Sequence, residues 1–80
     1  MNTPQILIVE DERQIRRFVR TALEGEGCRV SEADTCSGAL IEAGCCQPDL
    51  VVLDLGLPDG DGSGFIRDFR SWSTAPVLVL

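Results

Sequence analysis

Two short acidic segments hold the residues most capable of chemistry. Glu10-Asp11-Glu12 closes the aliphatic run Ile6-Leu7-Ile8-Val9, and Asp54 closes Leu50-Val51-Val52-Leu53. Each run reads as a strand buried on both faces. In open α/β sheets, ligands bind beyond the C-terminal ends of the strands. If the two strands are parallel neighbours, three or four carboxylates meet at one mouth. Two carboxylates about 5 Å apart repel by roughly 3 kcal/mol at an effective dielectric near 20. A protein tolerates this when one group takes up a proton or a cation sits among them. Oxygen-only ligands select a hard cation, and a few carboxylates with retained waters suit Mg²⁺ better than Ca²⁺. Gly56 fits the scheme, because without a Cβ its carbonyl can approach a metal closely. With the metal bound, the Asp54 carboxylate can attack a phosphoryl group and carry it as an acyl phosphate. Alone, Asp54 would read as a strand-end turn cap; its pairing with Glu10 and Asp11 favours a site. Glu12 belongs to the start of a helix, where negative charge is favoured.

The elements that must position these residues follow in order. Ile6 to Val9 is the first strand. Glu12 to Glu24 is a predicted helix, with Ile15, Phe18, Val19, Ala22 and Leu23 as one apolar stripe. Arg13, Arg16, Arg17 and Arg20 then form a solvated face. Gly25 and Gly27 stop the helix. Arg29 to Ala33 is a weakly signalled second strand. Asp34 or Thr35 can cap the next helix, which turns Cys36, Ala39, Leu40 and Ala43 inward and ends at Gly44. Cys45 to Asp49 is a loop. Leu50 to Leu53 is the third strand, and the loop from Leu55 to Gly64 leads to a third helix near Gly64 to Arg70. Phe65, Ile66, Phe69 and Trp72 are its inward residues. Val77 to Leu80 is a fourth strand of buried type. Strands alternating with helices at short spacing give a parallel α/β sheet. A final strand at a sheet edge leaves unpaired backbone and an apolar face, so a fragment, or cover from another chain, is expected.

The 80 residues make one small domain with a thin core. A net charge of −6 argues against a nucleic-acid surface in this segment. There is no bilayer-length apolar run and no signal-peptide pattern. Cys28, Cys36, Cys45 and Cys46 form no CxxC pair, and histidine is absent, so the cysteines read as reduced residues of a cytoplasmic protein. Asp59-Gly60-Asp61-Gly62 fails the EF-hand register, because Leu57 falls where the loop needs its first acid. Gly60, Gly62 and Gly64 make GxGxG rather than a dinucleotide fingerprint, and read as a turn feeding a helix. Asp59 and Asp61 are then solvated.

Taken together, Ile6-Leu7-Ile8-Val9-Glu10-Asp11-Glu12 and Leu53-Asp54-Leu55-Gly56-Leu57-Pro58-Asp59-Gly60-Asp61-Gly62 resemble the receiver domain of two-component response regulators. Asp11 to Phe18, Ala22 to Gly25 and Leu55 to Gly62 look like the OmpR-type subfamily, and in particular like regulators of potassium-transport genes. The resemblance implies a flavodoxin-like (CheY-like) doubly wound sheet of order 2-1-3-4-5, here truncated after the fourth strand. Residues 1–80 would be an incomplete receiver domain lacking the fourth helix, fifth strand and fifth helix. It implies that Asp54 is the phosphoacceptor for a sensor histidine kinase, a regulatory role rather than an enzyme's. Glu10, Asp11, Asp54 and the backbone carbonyl of Gly56 would hold Mg²⁺. A DNA-binding domain outside this chain would control transcription. The family's switch Ser/Thr and its Lys would fall beyond Leu80, so completion of the switch by these residues is not expected. The open edge predicts self-association, with no membrane contact. Two other readings stand beside this one. One is a Mg²⁺-dependent phosphohydrolase fragment with Asp54 as nucleophile, although Gly56 stands where its general acid belongs. The other is a non-phosphorylated pseudo-receiver serving as an interaction module.

Overall fold

A computed structural model describes residues 3–54, 56–60 and 62–80; the expectation for Asp61 lies outside them. The chain runs β1 (Gln5–Val9), α1 (Arg13–Gly25), β2 (Arg29–Ala33), α2 (Cys36–Cys46), β3 (Leu50–Leu53), α3 (Ser63–Arg70) and β4 (Val77–Val79). The strands form one parallel sheet in the order β2-β1-β3-β4. From β1 the chain steps outward to β2, then returns past β1 to β3. The direction of winding therefore reverses between β1 and β3, and a crevice opens at the C-terminal ends of such a pair.

Strand alternation divides the buried residues between two faces. Leu7, Val9, Val51 and Leu53 pack with Ala39 and Ala43 of α2, and with Phe65 and Phe69 of α3, in the main core. Phe65 and Phe69 stack at 5.4 Å between ring centroids, and Trp72 meets Phe69 edge-on at 5.1 Å while remaining half exposed. Ile6 and Ile8 point to the other face and are buried there. Glu32 lies in register with Ile8 and receives Arg16 and Arg20, so α1 lies over that second face.

The α1 stripe differs from the expectation. Phe18 is 75% exposed and Ile15 and Ala22 are exposed too. The half-buried positions are Arg16, Val19, Arg20 and Leu23, again at i, i+3, i+4 and i+7. The inward row is offset by about one residue from the expected stripe, and it includes Arg16 and Arg20, which pair with Glu32 on the strand beneath. The arginine row is therefore not simply a solvated face: Arg16 and Arg20 are paired, while Arg13 and Arg17 are exposed.

Helix α2 begins as expected, with Thr35 accepting from the Gly38 amide at 3.0 Å. It runs two residues past Gly44, absorbing Cys45 and Cys46 from the expected loop. It stops at Gln47, which adopts φ 48°. Pro48 supplies the reason, since the residue before a proline is pushed out of the α region. No disulfide joins the four cysteines. In β4, Val77 is half buried, but Leu78 and Val79 are 55% and 43% exposed, which corrects the buried-type reading. No helix among the described residues is long and apolar enough to cross a membrane.

Candidate metal centre

Parallel pairing of β1 with β3 sets Val9 opposite Leu53, so the next residue of each strand, Glu10 and Asp54, emerges at the same sheet end. The Asp54 amide donates to the Val9 carbonyl at 2.9 Å and continues the ladder by one bond. The Glu10 amide donates to Ala33 at 3.0 Å on the other side. Glu10, Asp11 and Asp54 each contribute a carboxylate oxygen to a group lying within 4.8 Å of one another. Glu10 is buried, Asp54 half buried and Asp11 exposed. The expected convergence of the two acidic segments is therefore present.

The electrostatics of Glu10 record the crowding. Burial pushes its carboxyl above the ordinary range; the Glu12 amide opposes this, and the Asp54 and Asp11 carboxyls add to the rise. The Glu12 amide donates to Glu10 Oε2 at 3.2 Å. Thus Glu12 begins α1 with its backbone, and its side chain makes no capping bond. The cluster consists of oxygen donors alone, which fits a hard divalent ion. Oxygens of one octahedral Mg²⁺ sphere at about 2.1 Å stand roughly 3.0 to 4.2 Å apart. Oxygens within 4.8 Å of one another therefore lie within a small side-chain adjustment of that arrangement.

At Gly56, the amide donates to Asp54 Oδ1 at 3.1 Å. A Cβ there would stand 3.7 and 3.9 Å from the two Asp54 carboxylate oxygens. That is ordinary contact, so the backbone would tolerate a side chain. Its cost would be cover over the carboxylate face that a ligand must reach.

Three further residues, Arg16, Glu32 and Asp59, make contacts that the sequence did not indicate. Arg16 donates from Nη1 to the Glu10 carbonyl at 2.8 Å and from Nε to Glu32 Oε1 at 2.6 Å. Burial raises the Glu32 carboxyl, but hydrogen bonds from Arg20 and Arg16 outweigh it and hold the group below its usual range. Asp59 is not simply solvated. Its carboxylate accepts from the Cys36 amide at 2.7 Å, and from the Ser37 amide and hydroxyl at 3.1 Å each. These bonds tie the loop after β3 to the N-terminus of α2 and depress the Asp59 carboxyl, the backbone amides being the main cause. Only an acid followed by Gly60 marked the position in the sequence, and nothing local pointed 23 residues back.

Comparison with known proteins bears on the family and the fold. Residues 6–80 match the response regulator receiver domain. The chain is 65% identical over 75 residues to the KDP operon transcriptional regulatory protein KdpE of Escherichia coli K12, covering 94% of this chain and 33% of that protein. It is 47% identical to the transcriptional regulatory protein KdpE of Mycobacterium tuberculosis, with the same coverage. The chain thus spans about a third of the length of these relatives. Among solved structures, the chemotaxis response regulator CheY4 of Vibrio cholerae superposes with a TM-score of 0.92 at 27% identity, covering 98% of this chain and 68% of that one. Family match, sequence likeness and sheet order converge, and the chain belongs to the response regulator receiver domain family.

Proposed function

We propose that Asp54 accepts a phosphoryl group from the phosphohistidine of a sensor histidine kinase, in a Mg²⁺-dependent step. The observation that carries this is the set of three carboxylates from two adjacent strand ends within 4.8 Å. In the transfer, an Asp54 oxygen bonds to phosphorus as the P–N bond breaks, leaving imidazole and an acyl phosphate. Glu10, Asp11, Asp54 and the Gly56 carbonyl would hold the ion. The ion would supply charge neutralisation on the transferring phosphoryl oxygens. The Gly56 amide orients the nucleophile through Oδ1. The likeness to KdpE supports an output in transcription, through a DNA-binding domain outside this chain, at potassium-transport genes. It also supports a cytoplasmic setting. The shares of KdpE and CheY4 covered support reading residues 1–80 as part of a receiver domain.

Acetyl phosphate with Mg²⁺ tests the reading. Intact-mass analysis should show one added phosphoryl group on the wild type, and none on Asp54→Asn or in excess EDTA. Labelling that persists in Asp54→Asn would remove Asp54 from its role, and complete absence of labelling by either acetyl phosphate or a phosphorylated kinase would favour the pseudo-receiver.

We also propose self-association through the β4 edge. Leu78 and Leu80 are 55% and 60% exposed, beside backbone that among the described residues pairs with β3 alone. Sedimentation should show a concentration-dependent dimer; a monomer at every concentration would refute it.

A further inference from the structure

We propose that Arg16 is a positioning residue for the metal centre, fixing the peptide that links Glu10 to Asp11. The inference rests on the metal reading above. The Glu10 carbonyl belongs to that linking peptide, and it lies beyond the last β1–β2 pair, Val9 with Ala33. Among the described residues, no ladder bond reaches it. Arg16 does, through Nη1 at 2.8 Å, while Nε of the same guanidinium bonds Glu32 at 2.6 Å. A guanidinium is planar and presents its donors in a rigid fork. Two anchored donors consequently fix its orientation, and with it the carbonyl direction and the start of Asp11. Glu32 is itself held by Arg20, which also bonds Glu24 at 3.1 Å. The clamp thus runs from α1 and β2 to the exposed ligand of the cluster. Asp54 needs no such clamp, because its amide is on the ladder.

Charge and geometry predict opposite results here, which makes the idea testable. As a point charge, a cation beside the site repels Mg²⁺, so its removal should tighten binding. As a clamp, Arg16 should strengthen binding, and groups that orient metal ligands are typically worth about 10- to 100-fold in affinity. The assay is a Mg²⁺ titration followed by ¹H–¹⁵N spectra, reading the Asp11 and Gly56 amides, with the spectrum itself confirming the fold. Arg16→Lys keeps the charge but cannot span both acceptors, and should weaken binding about tenfold, the lower end of that range. Arg16→Gln should weaken it as well. Arg17→Gln removes the same charge from an exposed neighbour and should leave affinity equal or tighter. Wild-type affinity in Arg16→Lys, or tighter binding in Arg16→Gln, overturns the proposal. Should Arg16→Lys fail to fold, Glu32→Asp keeps the opposite charge while withdrawing the anchor, and unchanged affinity there overturns it equally. If the wild type itself shows no saturable response, the metal reading fails first and the clamp falls with it.

Discussion

Removing Mg²⁺ should leave this protein destabilised by its own site, and Asp54→Asn should relieve that. Asp54 faces two carboxylates within 4.8 Å, each pair worth roughly 3 kcal/mol of repulsion at an effective dielectric near 20. The sum is an upper bound. Asp11 is exposed, so solvent and salt reduce its share to about 1 kcal/mol or less. Glu10 is buried, but Asp54 is only half buried, so solvent screens this pair in part as well. A net relief of about 1 to 2 kcal/mol remains. In a domain this small, each kcal/mol moves the melting temperature by about 4 to 8 °C. Asp54→Asn should therefore melt roughly 5 to 15 °C above the wild type in EDTA. On the proposed metal reading, Mg²⁺ at a hundredfold excess over its Kd should stabilise the wild type by about 2.7 kcal/mol. Asp54→Asn, lacking one anionic ligand, should gain only a small part of this increment. Thermal unfolding followed by circular dichroism, with Mg²⁺ and with EDTA, measures all four values. A mutant that melts below the wild type in EDTA, or keeps the full Mg²⁺ increment, refutes the reasoning.

Asp59→Ala should free the loop after β3 from α2, and hydrogen exchange at the Cys36 and Ser37 amides should accelerate. Because the folded state depresses the Asp59 carboxyl, its contribution to stability is complete above the ordinary carboxylate pKa. It is lost as pH falls through the folded value. The variant should lack that acid-side component, and an unchanged stability–pH curve would count against the clamp. On α1, Phe18→Ala should cost less than about 0.5 kcal/mol in urea unfolding, since the ring is 75% exposed. Phe69→Ala, fully buried, should cost about 3 to 5 kcal/mol. Equal costs would restore the apolar-stripe reading of α1.

Much of the scaffold was legible because its signals are local. The run Leu50 to Leu53 is four aliphatic residues between Pro48-Asp49 and Asp54, and it is β3 without adjustment. Thr35 caps α2 because its side chain reaches the Gly38 amide within one turn. The acidic mouth was legible for a related reason. Two aliphatic strands ending in acid need only parallel adjacency to converge, and alternating strands and helices supply it. The misreadings were non-local. The apolar spacing of Ile15, Phe18, Val19, Ala22 and Leu23 is a property of one helix and carries no trace of a carboxylate on β2. Glu32 changed the balance by turning Arg16 and Arg20 toward the sheet. Asp59 likewise drew its partners from a helix far back in the chain.

The two halves of the centre are consequently held by different forces. Asp54 is fixed by a ladder bond from its amide to Val9, an extension of the buried sheet, and its side chain accepts a local bond from the Gly56 amide. Glu10 shares that support through its amide, but the peptide leading to Asp11 depends on a side-chain fork. Damage to the core near β3 should therefore displace Asp54 only when the sheet itself fails, as a cooperative unfolding event. Damage to the Arg16–Glu32 pair should instead alter metal affinity while the sheet persists. A centre built this way would change its hold on the proposed ion without moving Asp54, the proposed phosphoacceptor.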